Sequence, residues 1–97
     1  MLIIPQAKPQ SGYFKVFVPG NTEVHHRDKV QCKDPVSGAR VNGVCMSIIT
    51  IEWSKVPQWV CFETYGMDAE GSRAMLGESV PAFGDEEKIK ILIIKQN

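Results

Sequence analysis

The closing segment, Lys88–Lys95 (KIKILIIK), restricts the fold of this 97-residue chain more than any other stretch. In an extended strand its alternate isoleucines face one side, while Leu92 and Ile94 face the other. A strand that is apolar on both faces has to be covered on both sides, so it belongs in the interior of a sheet. We therefore expect Ile89–Ile94 to form a central strand with a paired neighbour on each side.

Four further segments are predicted to be strands, three from their alternation of apolar and polar residues and the first, residues 1–4, as a short apolar run ended by turn formers. Turn-forming residues separate them, most clearly in Asp34–Gly38 (DPVSG), where a proline presets the backbone and a glycine tolerates positive φ. The longest segment shifts phase near Ile48 and Ile49, which indicates a bulge or a strand buried on both faces. At Asn42–Gly43 we expect a bulge or a bend rather than a hairpin turn. The four segments are residues 1–4, 13–18, 28–33 and 39–53.

Helical patterning is confined to Val56–Leu76. Ser54 is a suitable N-cap for a first helix, and Gly66 is a suitable C-terminal stop. The apolar residues of this helix fall on neighbouring positions, so Trp59 and Phe62 are expected to be buried in its packed face.

A second helix is expected to start at Asp68 as N-cap and to end at Gly77 and Pro81, with residues 82–87 forming a loop. The order of elements predicts an α+β fold, mostly β, as a single domain over residues 1–97. We expect a small, partly closed antiparallel β-barrel, with the two short helices inserted before the last strand and plugging one open end.

Charge and cysteine content exclude several classes of function. Eleven Lys and Arg residues balance eleven Asp and Glu residues, so a nucleic-acid role would need a local basic patch. The three cysteines, Cys32, Cys45 and Cys61, are odd in number and widely spaced, which favours free, mostly buried thiols over disulfides or zinc. The chain has no signal-peptide pattern and no apolar run long enough for a membrane span. We expect a cytoplasmic protein without cofactor, metal or membrane partner.

Three segments carry a resemblance to the PUA-like superfold and, within it, to the ASCH-domain family. This resemblance implies a β-barrel module whose relatives bind RNA or act on modified nucleosides. The chain lacks the Gly-x-Lys-x-x-x-x-Arg segment of that family, because Lys15 and Arg27 do not have its spacing. The lysine, threonine and glutamate of the amidohydrolase relatives therefore have no counterpart here. The three segments are residues 25–38 (HHRDKVQCKDPVSG), 53–76 (WSKVPQWVCFETYGMDAEGSRAML) and 88–95.

A basic and aromatic rim is the candidate binding site. Its cations would contact phosphates, and Trp53 would stack on a base. His25 and His26 are neighbours that point to opposite faces of an extended segment, so they do not form a metal site by themselves. The predicted ligand-binding residues are Lys15, His25, His26, Arg27, Arg40 and Trp53.

Two functional hypotheses remain open. The first is a small PUA/ASCH-like binding module for RNA or a nucleotide-like ligand. The second is a non-catalytic structural or protein-interaction domain that forms a homodimer through a sheet edge. An enzyme is less favoured, because the chain shows no complete catalytic set.

Overall fold

The computed structural model describes all 97 residues and places most of them in five strands and a helical segment before the last strand. This confirms the mostly-β α+β fold and the order of its elements. The strands are β1 (Leu2–Ile4), β2 (Tyr13–Pro19), β3 (Lys29–Lys33), β4 (Arg40–Glu52) and β5 (Lys88–Gln96). The helical elements are a 3₁₀ turn (Trp53–Lys55), α1 (Gln58–Tyr65), α2 (Ala69–Ser79) and α3 (Ala82–Asp85).

The strands form one curled sheet in the order β1-β3-β4-β5-β2. β5 lies between β4 and β2 and is antiparallel to both, which confirms the central position expected from its sequence. β1 pairs with β3 in parallel, so the sheet is antiparallel except at that edge. The sheet order leaves β1 and β2 as its two edges.

The inner face of the sheet forms one hydrophobic core without any helix. Phe14 and Val16 of β2 pair with Ile94 and Leu92 of β5, and all four side chains are buried. Eleven buried residues from β1 to β5 and the adjoining loops make up this cluster. Their burial follows from the curl of the sheet, which wraps the inner face around its own side chains.

The helices cover part of the outer face, at the end of the sheet where β4 runs into the helical segment. Phe17, Ile89 and Ile91 supply the sheet side of a second core, and Tyr65 and Leu76 are its largest fully buried helical members. The helices therefore pack on side chains of β2 and β5, and their role as a plug for one end of a barrel stays a prediction. Here the helical layer excludes water from isoleucines that the curl of the sheet leaves outside.

The first helix differs from its prediction in both its start and its buried face. Ser54 lies in the 3₁₀ turn that continues β4, so α1 begins after Pro57. Trp59 and Phe62 are 62% and 55% exposed, which makes their predicted burial wrong. Apolar residues occur all round this helix, so the pattern of α1 did not define which side would be packed. The stop at Gly66 is confirmed by its left-handed φ of 74°.

The rest of the helical segment is longer than expected. Asp68 caps α2 as predicted, with its Oδ1 accepting from the Gly71 N–H at 2.7 Å. α2 then continues through Gly77, and the expected loop after Pro81 contains α3. Packing explains the longer α2, because Leu76 is buried and outweighs the weak stop signal of the glycine beside it.

Arg73 of α2 fixes the segment that contains α3. Its guanidinium donates to the backbone carbonyls of Phe83, Gly84 and Glu86 at 2.9–3.1 Å. Phe83 is buried next to Trp53, with ring centroids 6.3 Å apart. These contacts order a stretch whose sequence alone resembles a loop.

The bulge in β4 lies between Cys45 and Ser47, a few residues before the phase shift that indicated it. Asn42 and Gly43 pair regularly with β3, so the expected bulge or bend there is wrong. Gly43 meets a different requirement, because a Cβ at this position would lie 2.5 Å from the Cγ2 of Ile94. Close approach of β4 to β5 therefore explains this glycine.

All three cysteines are free and buried, as expected from their number and spacing. None of the helices has both the length and the apolar character needed to cross a membrane.

Candidate functional site

The uncovered end of the outer face carries a row of side chains that crosses four strands. Lys29 of β3 pairs with Val44 of β4, Val44 pairs with Lys95 of β5, and Lys95 pairs with Tyr13 of β2. Paired residues share a face of the sheet, and neighbouring strands lie about 4.8 Å apart, so the row is about 14 Å long. We call this end of the outer face, with its neighbouring rows, the open face.

Two further rows extend the open face. Lys33 lies directly opposite Arg40 on the far side of the first row, and Lys15 lies opposite Ile93 on the near side. The Arg40 Nη1 donates to Gln31 Oε1 at 3.4 Å, which holds the guanidinium over the sheet. Five cations thus share this surface, namely Lys15, Lys29, Lys33, Arg40 and Lys95.

Most of these cations lack a carboxylate partner. The Lys15 Nζ lies 2.7 Å from Glu63 Oε1 of α1, and this is the only ion pair on the open face. The two cations that lie opposite each other, Lys33 and Arg40, repel, and such a pair destabilises a sheet by a few tenths of a kcal/mol up to about 1 kcal/mol. The open face thus keeps an unfavourable arrangement of charge. The cations without a carboxylate within 4.0 Å are Lys29, Lys33, Arg40 and Lys95.

The neutral chain is divided into a basic sheet and an acidic helical segment. Residues 53–87 contain seven carboxylates and two cations, so their formal charge is −5. The rest of the chain contains nine cations and four carboxylates, so its formal charge is +5. Within the strands the imbalance is seven cations to one carboxylate, Glu52. The strands are therefore locally basic although the net charge of the chain is zero, as a nucleic-acid role would require.

Tyr13 adds an aromatic surface to the open face. Its side chain is 60% exposed although it is paired in the sheet, because β2 is an edge strand and α1 covers this end only in part, where Glu63 and Thr64 line a cleft with Tyr13. The ring projects from a paired strand directly opposite Lys95, and it is accessible. Such a ring is suited to stacking against a planar ligand.

The structure brings together only part of the predicted rim. Lys15 and Arg40 lie on the open face. His25, His26 and Arg27 are exposed in the turn that precedes Lys29, at the border of that face. The turn is held to β4 by the Arg27 N–H, which donates to the Cys45 carbonyl at 2.7 Å. The histidines and Arg27 line none of the five main clefts of the molecule.

Trp53 does not belong to this site. It is only 6% exposed and lies at the covered end, packed edge to face on Phe17 with ring centroids 5.8 Å apart. The Arg73 guanidinium covers its ring at 5.7 Å. The predicted stacking role of Trp53 is therefore wrong, because the 3₁₀ turn folds its side chain under the helices and away from solvent.

Sequence reasoning missed four residues of the open face: Tyr13, Lys29, Lys33 and Lys95. A signal for them existed in the alternation of the strands, since residues next to a buried position face outward. What the alternation does not contain is the pairing of β3 with β4 and of β5 with β2. Only that register places the four side chains on one surface.

The cysteines are poorly suited to nucleophilic chemistry. Burial raises the pKa of the Cys32 thiol to about 11 and also raises the pKa of the Cys45 and Cys61 thiols. A neutral, buried thiol is a weak nucleophile. No three His, Cys, Asp or Glu side chains are grouped as the ligands of a metal ion would be.

Comparison of the chain with known protein families, curated proteins and solved structures finds no match.

Proposed function

We propose that this protein binds single-stranded nucleic acid, such as RNA, on the open face of its sheet. The observation that carries the proposal is the row formed by Lys29, Val44, Lys95 and Tyr13. It joins unpaired cations to an exposed aromatic ring on a rigid surface. Proteins that bind single strands combine these two features, because cations contact phosphates and aromatic rings stack on bases.

The charge of the face sets the expected strength of the electrostatic contribution. Four cations without a carboxylate partner are free to contact phosphates. Each phosphate contact on a single strand adds about −0.7 to the slope of log K against log salt, so we expect a slope of roughly −3. Stacking on Tyr13 would contribute about 1–3 kcal/mol and depend little on salt.

The geometry of the sheet edges disfavours dimerisation through a sheet edge. On the β2 edge the Phe17 N–H donates to the Tyr65 hydroxyl at 2.9 Å, and Pro19 ends the strand. The β1 edge is three residues long and is followed by Pro5. Short edges, prolines and helices that cover an edge are the devices by which proteins prevent edge pairing. The second hypothesis therefore has less support than the first.

The resemblance to the PUA-like superfold and the ASCH-domain family points the same way, since relatives there bind RNA. The curled five-stranded sheet is compatible with such a module. The assignment to that superfold stays a prediction, as does closure of the sheet into a barrel.

The test is a fluorescence-anisotropy titration of a labelled oligouridylate of about ten nucleotides, within the range of site sizes known for single-strand binders. Binding should weaken steeply between about 50 mM and 200 mM salt. The double variant Lys29→Ala/Lys95→Ala should bind more weakly, with a slope smaller in magnitude by about 1.4.

Lys55→Ala is the matched control. Lys55 is an exposed lysine on the 3₁₀ turn, outside the open face, and it pairs with Glu52 at 3.6 Å. This variant should bind like the wild type. No binding at low salt, or an equal loss in the control, would contradict the proposal.

A further inference from the structure

We propose that Trp59 of α1 is a second stacking platform, and that it continues the open face from the sheet onto the helical layer. A bound strand would pass from Tyr13 past Lys15 and then across Trp59. The inference rests on the proposed function and extends the length of nucleic acid that the protein would contact.

The exposure of Trp59 has no structural explanation within the chain. The side chain is 62% exposed and belongs to neither hydrophobic core. α1 is instead anchored by Val60, Cys61 and Tyr65, which lie on its opposite side. An exposed tryptophan on a well-packed helix contributes little to folding, which is why we consider it as a contact for a partner.

One ion pair places Trp59 beside the open face. Glu63 of α1 reaches Lys15 of β2 with an Oε1 to Nζ distance of 2.7 Å. Trp59 precedes Glu63 by four residues, so the two side chains share one side of the helix, about 6 Å apart along its axis. Phe62 immediately precedes Glu63 and is turned about 100° away from it. Trp59 therefore flanks the basic surface, and Phe62 lies on the side of Trp59 that is away from Glu63.

Area and charge identify the occupant. The exposed parts of Trp59 and Phe62 amount to no more than a few hundred Å², whereas a stable protein interface buries about 800 Å² on each partner. A second copy docked here would also bring another basic open face close to the first. A polyanion with planar bases meets both conditions, because it is attracted by the cations and needs only one ring for each stacked base.

Glu63 defines how the strand would cross this point. Its carboxylate repels phosphate and already neutralises Lys15. Contact between the two platforms is therefore made by bases rather than by phosphates. The salt slope should then depend on the sheet cations alone, while affinity for longer strands depends on Trp59.

The experiment compares oligouridylates of about five and about ten nucleotides on wild type, Trp59→Ala and Phe62→Ala. Trp59→Ala should weaken binding of the longer strand by about 5- to 150-fold, leave the shorter strand within about 2-fold, and keep the salt slope. Phe62→Ala is the matched control and should leave both strands within about 2-fold. Both side chains are exposed, so the variants should fold like the wild type.

Tryptophan emission gives a second readout. Trp53 is buried and Trp59 is exposed, so quenching by the longer strand should be strong in the wild type and absent in Trp59→Phe. If Trp59→Ala binds the longer strand as the wild type does, or if Phe62→Ala loses as much, the inference is wrong while the proposed function stands. If the wild type binds neither strand, the proposed function itself is wrong.

Discussion

The two halves of the outer face are built by the same strands, but one half is buried under the helices and the other is exposed to solvent. In the covered half, Phe17 and Ile91 face each other across β2 and β5 and are buried under the helices. In the open half, Tyr13 and Lys95 occupy the equivalent paired positions and are exposed. Phe17 and Tyr13 are four residues apart on one strand and point the same way. The difference lies in what covers them.

This contrast separates residues that serve folding from residues that do not. Every large side chain on the β2 and β5 rows of the covered half contributes to a core. The open half holds an exposed ring, an unpaired lysine row and the repelling pair Lys33 and Arg40. An arrangement that costs stability and is retained on one contiguous surface is the expected signature of a binding face.

The largest effect should come from truncating equivalent aromatic residues in the two halves. Phe17→Ala should lower the free energy of unfolding by about 3–5 kcal/mol, because it leaves a cavity between sheet and helices. Tyr13→Ala should change it by less than about 0.5 kcal/mol and instead weaken binding of single strands. Urea denaturation checks the first result and anisotropy the second.

If Phe17→Ala does not fold, Phe17→Leu provides a milder test that should still be less stable than Tyr13→Ala. Equal stability losses at the two positions would contradict the distinction between the halves.

A smaller effect should follow from removing one hydroxyl at the boundary of the covered half. The Tyr65 hydroxyl accepts from the Phe17 N–H at 2.9 Å, in a fully buried position. Tyr65→Phe leaves that donor without a partner and should cost about 1–3 kcal/mol. Tyr13→Phe removes an exposed hydroxyl from the same face and should cost less than about 0.5 kcal/mol. Thermal or urea unfolding of the two variants compares them, and a similar change in both would disprove the role of Tyr65.

The smallest effect, and one of opposite sign, should come from the open half. Lys33→Glu replaces the repulsion with Arg40 by an attractive cross-strand pair and should raise stability by about 0.2–1 kcal/mol. Binding of single strands should weaken, because one cation is lost and another is neutralised. Lys33→Gln is the control, with a smaller gain in stability. A loss of stability in Lys33→Glu would show that this half is arranged for folding after all.

Much of the fold was predictable from local patterns. Alternation predicted three of the five strands, a short apolar run predicted β1, and the two-sided apolar character of β5 predicted both the strand and its central position. Cap chemistry predicted the start of α2 at Asp68 and the end of α1 at Gly66. These features depend on the chain within a few residues, where sterics and hydrogen bonding decide the conformation.

The errors have a common cause. Trp53 was expected at the surface but is buried, because the 3₁₀ turn places its side chain under the helices. Trp59 was expected to be buried but is exposed, because α1 has apolar residues on all sides. The candidate site was predicted only in part: Lys15 and Arg40 were predicted, and the other four residues of the open face, Tyr13, Lys29, Lys33 and Lys95, were missed. In each case the deciding contact joins residues far apart in the chain.

The sequence by itself determined which residues alternate, where strands and helices could start and stop, and that the thiols would be free. The tertiary structure alone decided which alternating faces would be joined into one surface and which half of that surface the helices would cover. The physical reason is that alternation and caps act through neighbouring residues, whereas register and burial depend on contacts between distant segments. The basic row of Lys29, Lys95 and Tyr13 exists only once β3, β4, β5 and β2 lie side by side.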